Sequence, residues 1–275
     1  MTHTLPQPSA LVIGPKKCGT SWIHAYLAAR NDVCLPLHVK ETFFYDRYHH
    51  RGLQWYRGLF AHYDPAVHKI SMEVAPTLFH HSTSIPWLVR HELGDIPIVI
   101  TLRHPLERAW SHYKHVRRAS TRKPLKAAVR DYPEILDASR YGVHVPRWKE
   151  VFSEVNVLAF EEMASDRLAF VEQIEKSLSL PAAPPHAHDI EPVNVSRNPR
   201  FFHVTYAARS VKKALRSFGL YATVDALKRP ALTRIMYKGG GDTVRMSDED
   251  RTFLERELDD QLREWRPDAL RKILG

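Results

Sequence analysis

Ala10-Leu11-Val12-Ile13-Gly14-Pro15-Lys16-Lys17-Cys18-Gly19-Thr20-Ser21-Trp22 is the stretch that decides the fold class of this chain. Four apolar residues ended by Gly14-Pro15 read as a buried strand running into a turn. Trp22 to Ala29 has helical composition, with Thr20 or Ser21 as the expected N-cap. Backbone amides at a helix start, beside two lysines and two hydroxyls, make an anion site. Gly14 and Gly19 have the spacing of the nucleoside-triphosphate P-loop, G-x-x-x-x-G-K-S/T, yet Thr20 stands where the lysine belongs and Lys17 precedes the second glycine. That order disfavours Mg-ATP hydrolysis and keeps phosphate binding. The bland alternative, an ordinary strand-to-helix turn, leaves the clustering of lysines, hydroxyls and Trp22 unexplained.

Outward from this unit, strands alternate with helices. Ile70 to Val74 reads as a short strand, Ser84 to Glu92 as a helix, and Ile96 to Leu102 as the clearest central strand, because it is rich in β-branched residues. Pro105 suits the first turn of a helix continuing from Leu106 to Arg118. A helix over Val143 to Phe152, a strand over Val155 to Ala159 and a helix over Phe170 to Leu180 follow. The alternation predicts an α/β, P-loop-like three-layer fold with a central parallel β-sheet flanked by helices. Five prolines between Pro181 and Pro199 mark a long surface connection. Tyr206 to Phe218 returns to a helical pattern, Gly239-Gly240-Gly241 reads as a hinge, and Ser247 caps a final helix over Glu249 to Trp265. We expect one domain over 1–275, with a core over 10–165 and a helical C-terminal part over 181–275.

The 275 residues carry a formal net charge of +9, with 44% hydrophobic and 26% charged residues, which excludes wholesale disorder. Apolar runs stay far below the roughly 20 residues of a membrane span. Cys18 and Cys34 are the only cysteines, so the reading is a reduced, cytoplasmic protein without a disulfide framework. The basic residues sit beside apolar segments throughout, which favours a folded basic cleft over a nucleic-acid arm. The pairs His49-His50 and His80-His81 lack a ligand set at metal spacing, and no metal is expected.

Pro15 to Trp22 resembles the 5′-phosphosulfate loop of sulfotransferases that use PAPS (3′-phosphoadenosine 5′-phosphosulfate), with Cys18 replacing the usual Ser or Thr. Arg103-His104-Pro105-Leu106-Glu107-Arg108-Ala109-Trp110-Ser111-His112-Tyr113 resembles that family's 3′-phosphate motif, with His104 in place of Asn or Asp. Lys40-Glu41-Thr42-Phe43-Phe44, the segment Tyr48 to Tyr56, and Ser111 to His115 look like segments of the heparan-sulfate-type sulfotransferases and their bacterial relatives. Val157 to Met163 is similar to the strand that closes the nucleotide pocket. The likeness is strong over 10–165 and continues only in outline, through Lys238-Gly239, towards the last helix.

The resemblance implies PAPS as donor and PAP as product. Lys16, Lys17, Cys18, Gly19, Thr20 and Ser21 would hold the phosphosulfate, and Arg103 and Ser111 the 3′-phosphate. Phe160, Lys238 and Gly239 would complete the nucleotide pocket. The family pattern puts Trp22 on the adenine; its alternative is a core ring of the first helix. Glu41 is the implied general base with His115 assisting, and Lys17 the cation on the leaving phosphate. Lys40, Phe44 and His49 fall on the acceptor side. The acceptor expected is a small molecule, glycan or lipid, with homo-oligomerisation left open. A P-loop kinase and a non-enzymatic nucleotide or nucleic-acid binder are the competing readings.

Overall fold

A computed structural model describes residues 6–182 and 244–265. Five parallel strands form one sheet: β1 (Ala10–Val12), β2 (Val33–Cys34), β3 (Ile70–Val74), β4 (Ile98–Leu102) and β5 (Val155–Ala159), in the order β2-β3-β1-β4-β5. The pleat sorts side chains to two faces. Ala10, Val12, Met72, Val74 and Val99 pack under α1 (Thr20–Ala28), while Leu11, Ile13, Ile98, Ile100 and Leu102 face the opposite way. That second face is covered by α2 (Leu53–Gly58) and α3 (Ile85–Leu93), and α4 (Pro105–Ala119) follows the carboxyl end of β4. The expected central parallel sheet flanked by helices is what the chain forms.

Elements with strong local signals lie where the sequence puts them. β3 and β5 have the expected bounds, and Pro105 opens α4. The strand expected from Ile96 begins at Ile98, because Pro97 has no N–H and gives only its carbonyl, which accepts from Leu11. The helix expected over Val143 to Phe152 begins two residues earlier. After the short α5 (Leu125–Asp131) and α6 (Glu134–Asp137) it is α7 (Tyr141–Val151), which packs on the same face as α2 and α3. After α8 (Glu162–Ser165), α9 (Arg167–Ser177) ends before Pro181, with Ser179 left-handed at φ 51°. α9 joins α1 on the first face, where Phe170, Val171 and Ile174 are fully buried.

The final helix breaks at Leu258 into α10 (Asp248–Glu257) and α11 (Asp259–Glu264). Its fully buried Leu254 and its Leu258 pack with Leu106, Tyr113 and Leu125 of α4 and α5. The expected cap holds: the Asp250 amide donates to Ser247 Oγ at 3.1 Å. The helix expected over Tyr206 to Phe218 and the hinge at Gly239 to Gly241 lie outside the described residues. Two losses of different size follow for this helix. Ser247→Ala should lower unfolding free energy by about 1 kcal/mol, and Leu254→Ala by about 2–5 kcal/mol. Both are read from denaturant midpoints at constant slope; equal losses would mean the helix is held by its cap and not by its packing.

Candidate active site

The site forms where the carboxyl ends of β1, β3, β4 and β5 meet, the place where open α/β sheets bind ligands. The loop leaving β1 turns twice through left-handed backbone, at Lys17 (φ 80°) and Gly19 (φ 83°). Gly19 caps α1 and no side chain does, a correction to the expected Thr20 or Ser21 cap. The difference is chemical. A side-chain cap would occupy first-turn amides that an anion needs. Trp22 and Ile23 both donate to the Gly19 carbonyl, at 2.8 and 3.1 Å, so the helix starts tightly at the loop. A side chain at Gly19 would strike the Phe160 ring, whose nearest carbon lies 2.5 Å from where a Cβ would sit. The loop and the end of β5 therefore touch through a residue without a side chain.

Arg103 joins this contact, its guanidinium 5.5 Å from the Phe160 ring centre. Burial pushes the Lys17 ammonium down to about 8, and the charges of Arg118, Arg103 and Lys114 add to the shift. Lys17 of the loop thus feels the charges of Arg103 at the β4 end and of Lys114 and Arg118 on α4. Ser111 lies on α4 three residues before Lys114 and four before His115. His115 is exposed, its ring 6.5 Å from that of buried His112.

The loop is anchored from beneath by residues to which the motif reading gave no role. Thr101 of β4 donates to the Cys18 carbonyl at 2.8 Å. Cys18 is itself fully buried, and burial pushes its thiol up to about 12, so its part in the site is through its backbone. Arg108 is fully buried; it donates to Ser139 Oγ at 2.5 Å, to the Lys16 carbonyl at 3.4 Å and to the Ile135 carbonyl. His112 Nδ1 lies 3.3 Å from Arg108 Nη1 and serves as a neutral acceptor, since burial and Arg108 hold its ring well below the usual histidine range. His80 is held down the same way, to about 3, by burial and then by Arg108. The Arg103 turn is fixed by Tyr141, whose hydroxyl donates to the Arg103 carbonyl at 2.6 Å, and by Glu161, which accepts from the His104 amide at 2.8 Å. Glu161 and Tyr141 supply the bonding at this turn, where the chain has His104 in place of Asn or Asp.

Trp22 takes the core alternative: it is 3% exposed and stacked on Tyr26 with centroids 5.7 Å apart. Above the end of β3, the Lys40 ammonium donates to Glu41 Oε1 at 3.2 Å. Phe44 is buried and stacked on Tyr56 at 4.5 Å, and His49 Nε2 meets Glu92 Oε1 at 2.7 Å. Glu41 lines a narrow crevice with Phe44, Glu73, Ala75 and Thr77. The implied phosphosulfate loop leaves β1, Arg103 and Ser111 follow β4, and Glu41, in the segment after β2, sits beside Ala75 and Thr77 just past β3. Lys238 and Gly239 lie outside the described residues, and the described residues hold no group of three or more His, Cys, Asp or Glu placed for a metal.

The sulfotransferase domain family matches residues 7–215 of the chain. The chain belongs to the sulfotransferase family. This sulfotransferase is 25% identical over 197 residues to the mouse bifunctional heparan sulfate N-deacetylase/N-sulfotransferase 4, covering 63% of the chain and 22% of that protein. It is 34% identical over 106 residues to mouse heparan sulfate glucosamine 3-O-sulfotransferase 6, covering 38% of the chain and 30% of the relative. Under a third of either relative's length is thus matched. Among solved structures, a sulfotransferase from Alicyclobacillus acidocaldarius superposes with a TM-score of 0.56 at 20% identity, covering 80% of this chain and 96% of that one. Mouse sulfotransferase SULT7A1, solved with PAP, gives a TM-score of 0.54 at 12% identity, covering 97% and 87%. These structures share the fold of this sulfotransferase.

The contact between Gly19 and Phe160 yields a double-mutant test. Gly19→Ala places a methyl group against the ring and strains the left-handed backbone, which should cost about 1–3 kcal/mol and at least about tenfold in PAP affinity. Phe160→Ala in the same chain removes the clash but not the strain, so it should restore part of the loss in calorimetric titration. Additive losses would mean that the two residues do not meet.

Proposed function

We propose that the chain transfers a sulfuryl group from PAPS to a hydroxyl or amine of a small-molecule, glycan or lipid acceptor. Family membership supports sulfuryl transfer as the reaction class. The observation that carries the choice of donor is Arg103 on the Phe160 ring that closes on Gly19, beside a Lys17 ammonium that burial and then the charges of Arg118, Arg103 and Lys114 push down to about 8. Such proximity of like charges costs energy and is relieved by a polyanion.

In this reading PAPS supplies a sulfuryl group on a phosphate leaving group. The loop residues Lys16, Cys18, Gly19, Thr20 and Ser21 hold the phosphosulfate through amides and hydroxyls. Arg103 and Ser111 hold the 3′-phosphate, an arginine fork being suited to paired bonds with phosphate oxygens. Glu41 takes the acceptor proton as the acceptor oxygen or nitrogen bonds to sulfur, with His115 assisting. Lys17 meets the negative charge left on the departing phosphate oxygen as the sulfur–oxygen bond breaks. Lys40 and His49 border the acceptor, and Phe160 the nucleotide. Phe44 shapes the crevice from within the core, and Lys238-Gly239 would close the 3′-phosphate site. Cys18 and Cys34 are both free and buried, which supports a reducing, cytoplasmic setting.

Two experiments test this. PAP at about 100 times its dissociation constant should stabilise the protein by about 2.7 kcal/mol without magnesium. Binding favours charged Lys17, so PAP affinity should be full below pH 8 and decline as pH rises above about 8. Stabilisation by Mg-ATP or an oligonucleotide but not by PAP would overturn the reading. Separately, Glu41→Gln should keep PAP affinity within about twofold while lowering turnover by about 100-fold or more. Undiminished turnover would move the base role to His115.

A further inference from the structure

Glu73 lines the same crevice as Glu41, and the mechanism above gives it no part. It lies inside β3, between β2 and β1, in register with Leu11. Ile70, Met72 and Val74 point towards α1, so the pleat turns Glu73 to the other face, among Leu11, Phe44 and Tyr56. It is 1% exposed. A carboxylate in such a place is costly unless its oxygens are fully bonded.

They are bonded, chiefly to one residue. Oε1 accepts the Thr42 amide at 2.6 Å, and Oε2 accepts the Thr42 hydroxyl at 3.0 Å and the Tyr56 hydroxyl at 2.8 Å. The Thr42 oxygen in turn accepts the Phe44 amide at 3.1 Å. Glu73 is thus the fixed end of a chain of bonds that sets the backbone from Thr42 to Phe44. Phe43 in that stretch is left-handed at φ 55°, a conformation that needs outside support. The amide gripped by Oε1 belongs to the same peptide unit as the Glu41 carbonyl, so its orientation fixes where the Glu41 side chain starts. Burial, with a further contribution from the Glu41 charge, pushes the Glu73 carboxyl up to about 7 against the three donors that hold it down.

We propose that Glu73 is a positioning residue: through Thr42 it aims the Glu41 carboxylate at the acceptor, without itself touching substrate. The proposal rests on the reading of Glu41 as base, and the experiment separates the two. The full-length protein and its Glu73→Gln variant are compared in amide exchange, PAP affinity and steady-state release of labelled sulfate from labelled PAPS to water. Glu73→Gln should speed exchange at Thr42 and Phe44 by at least about tenfold, the worth of a hydrogen bond to a charged acceptor. It should lower kcat by about 10–100-fold, as for a misplaced catalytic group. KM for PAPS, PAP affinity and exchange in the 14–19 loop should stay within about twofold, on the premise that the donor half is bonded separately. A brace that merely supported the fold would move all of these together.

Should the glutamine variant not fold, Thr42→Val and Thr42→Ser serve in its place. The first loses the hydroxyl bond to Glu73 and should speed exchange at Phe44. The second keeps both bonds and should leave that exchange near wild type. Unchanged exchange at Thr42 and Phe44 overturns the proposal, as does raised exchange with unchanged kcat. Failure of the wild-type protein to bind PAP would instead overturn the donor reading, with the exchange result still deciding whether Glu73 holds this segment.

Discussion

Arg108 carries a positive charge at a position with no solvent exposure, and the proposed donor half of the site is assembled around it. Its guanidinium reaches Ser139 before α7, the carbonyls of Ile135 in α6 and Lys16 in the loop, and the ring of His112 one turn along its own helix. Ser139 passes the connection on by donating to the Pro105 carbonyl at 3.0 Å. Buried acceptors left without a donor are costly, so each of these groups is locked to the others. Neutral histidines line this region because a second positive charge beside Arg108 would have no compensation. Through the Lys16 carbonyl this buried cation helps to set the loop that carries Lys17.

Much of this was legible from local sequence. The bounds of β3 and β5, the position of Pro105 and the Ser247 cap are set by chain-local effects: β-branched runs, a fixed φ, a side-chain oxygen three residues from an amide. The loop and the Arg103 turn were legible as motifs for the same reason. What escaped is non-local or short. β2 is two residues long, and α5 and α6 are small helices whose apolar positions mean something only once α4 lies beside them. Thr101 reads as one more strand residue until its hydroxyl meets Cys18, 83 positions away in sequence. Glu73 reads as a polar residue at a strand end until the chain brings Thr42 and Tyr56 to it.

The two halves of the site have different mechanical characters. The donor side is built on the sheet, with its loop pinned to β4 and its rear wall made by β5. The Glu41 side passes through left-handed Phe43 into one turn of π-helix over Phe44–Tyr48, a rare conformation that collects at functional sites. Stacking of Phe44 on Tyr56 and the bonds to Glu73 supply the stiffness that regular secondary structure does not.

Lys17 occupies backbone space that suits glycine or asparagine far better than lysine. The chain therefore carries a small conformational penalty at the residue whose ammonium is already disfavoured by burial and by three neighbouring cations. Thermostability screens run on the free protein would be drawn to this position, and the replacements they reward there would come from disarming it.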